Sequence, residues 1–387
     1  MMYKRGPFAL LALVLAGVIA TPAVAQVKPL TDLLPDGDTR PVIVSVELRA
    51  PGRHNDLLEA DLVIDAYDND GVARYEYRWN GATIGQAHEL DGFRPTVSYA
   101  QITPQSRYGL QVRAIDVNAN TSDWFTVWTG TTPAPPNIIV AGDSIASGYT
   151  KQWFTGDATC VDGGYSYGTT VVSQVAASLP AAWAPTYTNI AWAGAGVGNM
   201  VDGGSDSCGT TYQPQVEQIR DLADAETWNI VVVTAGINTT NWTQVVVDLT
   251  RDTTFSFTQR GDQDACRTAV RDRWNIAERR SYITQRVREA SQALTAQTNA
   301  RVYWTGYYDI TGTELAPLWV PVGDSCADQM EYALDQLHGA LRDGLAPEVT
   351  WIDIDRGIST QKWAGWPHPN PEGHRTIGTI VAAAITR

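Results

Sequence analysis

The residue types that acyl transfer requires follow predicted strands of this sequence, at Ser144, Gly194, Asn238 and His368. A serine hydroxyl becomes a nucleophile when a histidine accepts its proton, and a backbone N–H or an asparagine amide can stabilise the developing oxyanion. Each residue alone is more typical of a helix cap or a turn. Their joint occurrence at strand ends, or in the loop beyond the last strand, indicates nucleophilic acyl-transfer chemistry.

His368 lies in the stiff segment GWPHPN, between Pro367 and Pro369. Each proline fixes its own φ and biases the preceding residue towards extended backbone, so the segment holds the histidine side chain in one direction. No acidic residue occurs in the nine positions before His368. The segment therefore supplies a general base without an obvious carboxylate to orient its ring.

The C-terminal two-thirds of the chain alternates apolar strands with amphipathic helices. Nearly continuous apolar runs are typical of parallel strands that are covered on both faces, and apolar residues recur at helical spacing over 276–294 and 330–345. The predicted strands are 137–142, 188–193, 229–235, 300–306 and 349–354. This alternation predicts an α/β domain over 137–387 with a doubly wound parallel sheet, whose ligands bind at the carboxyl ends of the strands.

Residues 41–132 follow a different pattern, with short alternating strands separated by turn clusters such as DNDG and NANTSD. That pattern predicts an all-β sandwich. The stretch from Ile102 to Trp124 resembles the C-terminal half of a fibronectin type III domain, with Tyr108 at the tyrosine-corner position. The proline-containing segment 131–137 is predicted to be a semi-rigid spacer between the two domains.

The blocks AGDSIASGY, NIAWAGA, GIN and HPN, in that order, resemble the SGNH, or GDSL, hydrolase superfamily, and within it the secreted esterase and lipase branch. The resemblance spans 137–387. It implies a flavodoxin-like fold and ester hydrolysis through an acyl-enzyme, with no cofactor and no metal. Ser144 would be the nucleophile and His368 the base, while Gly194 and Asn238 would join the Ser144 N–H in the oxyanion hole.

Two positions depart from the family pattern. Thr239 replaces the aspartate of G-x-N-D, and Gly365 replaces the aspartate of D-x-x-H. The His368 ring could be oriented by the Gly365 backbone carbonyl, as in some members of the secreted branch, or by Asp353 or Asp355; the carbonyl is favoured because glycine lets the backbone approach closely. His374 is interpreted as structural, with a role as the base left as an alternative.

The first 25 residues predict an export signal, because Lys4 and Arg5 precede an apolar run and Ala23-Val24-Ala25. A membrane anchor is the alternative, but the run is short and Pro22 interrupts it. The net charge of −14 becomes −16 when Lys4 and Arg5 are removed. This acidity argues against nucleic acid and anionic membranes as partners. We therefore expect a secreted or periplasmic protein with no stable membrane insertion.

The four cysteines are Cys160, Cys208, Cys266 and Cys326. An oxidising compartment favours two disulfides, of which three pairings are possible. Cys160–Cys208 with Cys266–Cys326 is favoured because neighbouring cysteines close the smaller loops. Metal ligation is the alternative, and the lack of a C-x-x-C motif or a nearby histidine argues against it.

Together these features predict a secreted serine esterase acting on a small acyl ester, a lipid or an acetylated glycan. Deacetylation of a polysaccharide is one alternative. The other, of a different class, is a binding or adhesion protein whose hydrolase domain has lost activity along with the missing aspartate. The long segment 239–265 is predicted to contribute a lid or part of the substrate site.

Overall fold

A computed structural model describes residues 40–49, 57–80, 88–90, 96–148, 166–206, 209–223, 227–240, 276–308, 324–355, 363–365 and 368–387. The predicted export signal and most of the predicted lid, from residue 241 on, lie outside these ranges. Cys160, Cys208 and Cys266 also lie outside them, and of Cys326 only the helical backbone is described. The disulfide pairing therefore stays a prediction.

Strands of the N-terminal part form two antiparallel sheets, as the period-two alternation of apolar residues predicts. The strands are β1 (Val42–Arg49), β2 (Glu59–Tyr67), β3 (Val72–Asn80), β4 (His88–Leu90), β5 (Thr96–Ser98), β6 (Arg107–Asp116) and β7 (Phe125–Thr131). Their orders are β1-β2-β5 and β4-β3-β6-β7. Side chains from both sheets, including Leu62, Trp79 and Leu110, share one buried cluster.

Tyr108 is buried at the start of β6, and its hydroxyl accepts a 3.4 Å hydrogen bond from the Thr103 N–H and lies 3.1 Å from Thr103 Oγ1. A tyrosine that bonds the backbone a few residues upstream is the feature expected of a tyrosine corner. The assignment of this part to the fibronectin type III family stays a prediction.

The C-terminal part contains a parallel five-stranded sheet, which confirms the predicted α/β class. Its strands are β8 (Ala134–Gly142), β9 (Thr186–Asn189), β12 (Thr227–Thr234), β13 (Arg301–Thr305) and β14 (Thr350–Ile352). Two short antiparallel pairs lie outside this sheet: β10 (Gly204–Ser205) with β11 (Thr211–Tyr212), and β15 (Trp363–Gly365) with β16 (His368–Pro369). The helices are α1 (Ser144–Ser147), α2 (Tyr167–Ser178), α3 (Val197–Asp202), α4 (Gln215–Leu222), α5 (Ile276–Gln297), α6 (Asp324–Gly344) and α7 (Pro371–Ile385).

The order of the parallel sheet is β14-β13-β12-β8-β9, so the first strand in the chain, β8, lies between the second, β9, and the third, β12. This is the flavodoxin-like order, in which the direction of winding reverses between the first and third strands. In folds with this strand order, ligands bind beyond the carboxyl ends of the strands where the winding reverses. We therefore expect a ligand site directly after β8 and β12.

Two strand boundaries differ from the sequence expectation. β8 begins at Ala134 and pairs there with Thr227, so Pro135 and Pro136, which were expected in a spacer, belong to the strand instead. Proline is tolerated at the first residues of a strand because fewer ladder hydrogen bonds are needed there. β9 ends at Asn189 rather than 193, which leaves Gly194 in the loop beyond it.

Two tryptophans from the C-terminal part complete the core of the N-terminal strands. Trp183 and Trp228 stack with ring centroids 4.9 Å apart, and Trp183 Nε1 donates a 2.8 Å hydrogen bond to the Ile102 carbonyl. Tyr99 meets Trp228 edge to face. Since aromatic rings bury large apolar areas, the two parts pack against each other directly.

Within the described residues, no helix is both long and apolar enough to cross a membrane.

Candidate active site

Ser144 is the first residue of α1, immediately beyond the end of β8. Gly142 has a φ of +124°, and a Cβ there would overlap the Thr234 carbonyl oxygen of the neighbouring strand. Asp143 caps the helix by accepting a 3.0 Å hydrogen bond from the Ile145 N–H. As the first helical residue, Ser144 has an N–H without a carbonyl partner in the helix. The sharp turn therefore presents both its hydroxyl and its N–H at the sheet edge.

Gln215 on α4 holds this turn and was not predicted from the sequence. The Gly142 N–H donates to its Oε1 at 2.6 Å, and its Nε2 donates to the Gly142 carbonyl at 2.9 Å. The side chain is fully buried. A buried amide that satisfies both backbone groups of one residue stabilises the nucleophile turn. Nothing in the local sequence around 215 signals this contact, because its partner is 73 positions away.

His368 and Ser144 are brought together by the fold, with His368 Nε2 2.9 Å from Ser144 Oγ. Both side chains are buried. Burial lowers the pKa of His368 to about 4 because it disfavours the imidazolium. The ring is therefore neutral at neutral pH, and an unprotonated Nε2 can accept the serine proton.

Gly365 lies opposite His368 in the antiparallel pair formed by β15 and β16. Asp353 is exposed at the end of β14, and its Oδ1 accepts a hydrogen bond from the Asp355 N–H at 3.1 Å. The charges of both aspartates raise the pKa of His338, against the larger lowering by burial. Burial is the cause that shifts His368. The antiparallel pairing places the backbone of 365 beside His368, and which group orients the histidine ring stays a prediction.

The Gly194 loop leaves β9 beside the nucleophile turn, since the Trp192 N–H donates to the Gly142 carbonyl at 3.2 Å. Gly194 has a φ of +88°, a left-handed conformation in which glycine carries no steric penalty. A Cβ at this position would meet no atom within 4 Å, so the space beside the backbone is open. Among the described residues, the Gly194 N–H has no hydrogen-bond acceptor. It is thus available to a ligand.

Asn238 lies in the short turn Ile237–Thr240 that follows β12. Its Nδ2 donates a 3.0 Å hydrogen bond to the Ala195 carbonyl, next to Gly194. An amide nitrogen carries two N–H groups, so one remains for a second acceptor. The loops that carry Asn238 and Gly194 are therefore in contact with each other.

Thr239, which stands where the resembled family has aspartate, ties the same two loops together. Its Oγ1 accepts a 2.9 Å hydrogen bond from the Val197 N–H at the start of α3. A Cβ on Gly196 would come within 2.7 Å of this oxygen, which explains the glycine at that position. The threonine hydroxyl thus provides a hydrogen-bond acceptor at this position.

His374 lies in the first turn of α7 and is 1% exposed. Neither ring nitrogen makes a hydrogen bond to a described residue. Burial, and then the charge on His368, lower its pKa to about 3. Its proximity to His368 was not predicted, but its burial in the helix agrees with the structural interpretation.

We expect the stability of the wild-type protein to depend on His374 as the pH falls. The unfolded histidine binds a proton near pH 6.5 while the folded one stays neutral down to about pH 3. Between pH 7 and pH 5, His374 should therefore lower the free energy of unfolding of wild type by about 2 kcal/mol, and the His374→Leu variant should not show this loss.

Urea unfolding of both proteins at the two pH values measures this difference. Asp143, whose raised pKa of about 7 has the opposite effect on stability, is present in both proteins and cancels. An identical change between pH 7 and pH 5 in the two proteins would contradict the prediction.

Within the described part of the chain, no cluster of three or more histidine, cysteine, aspartate or glutamate side chains could hold a metal ion. The candidate groups are the hydroxyl of Ser144 in contact with the imidazole of His368, and the Gly194 N–H and the Asn238 amide on two adjoining loops. They suit proton transfer and oxyanion stabilisation.

No protein-family model matches the sequence, and no curated protein does. Among solved structures, an extracellular lipase from Streptomyces rimosus is 18% identical, with 65% of this chain and 100% of that chain covered and a TM-score of 0.44. An acetyl-xylooligosaccharide esterase from Geobacillus is 14% identical, with coverages of 66% and 96% and a TM-score of 0.37. A family two carbohydrate esterase from Clostridium thermocellum in complex with cellohexaose is 12% identical, with coverages of 81% and 85% and a TM-score of 0.32. These structural neighbours are esterases and lipases, and at such scores their likeness does not determine the activity of this chain.

Proposed function

We propose that this chain is a serine esterase that hydrolyses carboxylic esters through an acyl-enzyme on Ser144. The 2.9 Å contact between Ser144 Oγ and His368 Nε2 carries this proposal. It pairs a nucleophile with a neutral base at the point where the winding of the sheet reverses, which is where such folds bind ligands.

In the first half-reaction, Ser144 Oγ attacks the ester carbonyl carbon while its proton passes to His368 Nε2. The carbonyl oxygen becomes an oxyanion held by the N–H groups of Ser144 and Gly194 and by Asn238 Nδ2. The imidazolium then gives its proton to the leaving alcohol oxygen as the C–O bond breaks. Water repeats the sequence on the acyl-enzyme, releasing the carboxylic acid and restoring the serine hydroxyl.

His368 needs a partner for Nδ1 when it becomes charged, and we assign that role to the Gly365 carbonyl. The pairing of Gly365 with His368 across β15 and β16 supports this assignment. A backbone carbonyl can accept a hydrogen bond from Nδ1–H and so fix the tautomer without adding a full negative charge. The protein would then use a dyad with a backbone acceptor in place of a triad.

Export by residues 1–25 and two disulfides complete the proposed secreted enzyme, with the N-terminal sheets as a fibronectin type III-like module. Its substrate is a small acyl ester, a lipid ester or an acetylated glycan. The binding-protein alternative is less well supported, because a site without activity would have no need to keep the buried contact between Ser144 and His368.

A fluorophosphonate probe tests the proposal directly, since it reacts only with an activated serine. We expect labelling at Ser144, located by peptide mapping, and hydrolysis of p-nitrophenyl acetate. A series of p-nitrophenyl esters run beside acetylated xylan then separates the substrates: a lipase gains rate with chain length, whereas a deacetylase prefers acetyl and releases acetate from the polymer. A folded protein that neither reacts with the probe nor hydrolyses any of these esters would favour the binding alternative.

A further inference from the structure

We propose that Tyr307 is a positioning residue for ester hydrolysis, holding the nucleophile turn and the asparagine loop at a set distance through one hydroxyl. This inference rests on the proposed function. Tyr307 lies two residues beyond the end of β13 and is 1% exposed. It belongs to none of the sequence blocks that resemble the hydrolase superfamily.

The Tyr307 hydroxyl makes two short hydrogen bonds. It donates to Asp143 Oδ2 at 2.6 Å and accepts from the Ile237 N–H at 3.0 Å. A phenolic hydroxyl can donate one hydrogen bond while accepting another. It therefore satisfies a buried carboxylate and a buried backbone donor together, and either would be costly to leave unpaired.

Each partner directly precedes a proposed catalytic group. Asp143 precedes Ser144, and its second oxygen caps α1 through the Ile145 N–H. Ile237 precedes Asn238, the proposed side-chain donor to the oxyanion. The two loops come from different strands and have no covalent link close by. The Tyr307 hydroxyl thus links the backbone segment that positions Ser144 to the backbone segment that positions Asn238.

Tyr307 is itself held from a third direction. Its backbone N–H donates a 2.8 Å hydrogen bond to His338 Nε2 on α6. The His338 ring is buried and meets Trp351 of β14 edge to face, with centroids 5.6 Å apart. The phenol is therefore fixed to the packed edge of the sheet, so it can act as a rigid reference for both loops.

The hydrogen bond from Tyr307 also affects the ionisation of Asp143. The pKa of Asp143 is raised to about 7, because burial raises it by more than the hydrogen bonds, of which that from Tyr307 is the largest, lower it. The charge of Asp143 in turn raises the pKa of the buried hydroxyls of Tyr167 and Tyr308. Tyr307 thus favours the ionised Asp143, which accepts the N–H groups at the start of α1 more strongly than the protonated acid does.

Tyr307→Phe tests the inference because it removes the hydroxyl while keeping the ring. Tyr303→Phe is the matched control, since Tyr303 is similarly buried on β13, the strand that leads to Tyr307, but its hydroxyl bonds neither Asp143 nor Ile237. We expect kcat of Tyr307→Phe to fall by about 10- to 100-fold with KM changed less than about threefold, because misplaced catalytic groups cost rate more than binding. The control should stay within about twofold of wild type.

The pH profile distinguishes positioning from a loss of folded protein. Activity that depends on ionised Asp143 rises through a pKa near 7 in wild type, and this rise should move to higher pH in Tyr307→Phe because the lowering hydrogen bond is gone. Titration with the fluorophosphonate probe counts the active sites, so the rates of wild type and Tyr307→Phe can both be expressed per active site. A kcat within twofold of wild type, or a lower rate with an unmoved profile, overturns the inference alone. A wild type without hydrolysis overturns it together with the proposed function.

Discussion

Replacing Ser144 with alanine is expected to abolish hydrolysis of p-nitrophenyl acetate, with kcat falling at least about a thousandfold. The change removes the only atom that can form the acyl-enzyme and leaves the helix cap of Asp143 in place. The protein should therefore remain folded, with the same circular dichroism spectrum and the same unfolding midpoint to within a few degrees. Initial rates at saturating ester give the comparison.

Ser147→Ala is the control, because Ser147 lies in the same helix and is equally buried. Its hydroxyl donates to the Ser144 carbonyl at 3.1 Å and does not bond the histidine. We expect this variant to keep more than about a tenth of wild-type kcat, since one local hydrogen bond contributes only about 1 kcal/mol. Activity that survives in Ser144→Ala but disappears in Ser147→Ala would show that the nucleophile has been misassigned.

The second large effect is expected at His368. Substitution with glutamine should lower kcat by about a thousandfold, because glutamine can neither accept the serine proton nor return it to the leaving group. Asp353→Asn and Asp355→Asn are the informative companions. Each should keep more than about a tenth of wild-type activity, because in the proposed dyad a backbone carbonyl and not a carboxylate orients His368.

A fall of about a thousandfold in either aspartate variant would instead identify a catalytic carboxylate. The protein would then use a triad, and the Gly365 carbonyl would lose its assigned role. Comparing the kcat value and the unfolding midpoint of each variant distinguishes a slower catalytic step from a loss of folded protein.

Much of the fold could be predicted from local pattern. The five parallel strands and the long helices α5 and α6 were located to within a few residues, because strands buried on both faces read as apolar runs and helices show a 3.6-residue period. Boundaries were less predictable: prolines joined β8, and β9 ended early. Strand ends depend on which neighbour is present to pair, and that is not local information.

The sequence by itself determined which chemical groups make up the proposed site: the hydroxyl of Ser144, the imidazole of His368 and the donors at Gly194 and Asn238 follow from residue type and predicted strand position. Only the tertiary structure decided how they are held. Ser144 and His368 are 224 positions apart, and Gln215, Thr239 and Tyr307 act through partners 42 to 164 positions away. Contacts of such long range leave no periodic trace in the chain, because they form only when the sheet brings the ends of its strands to one edge.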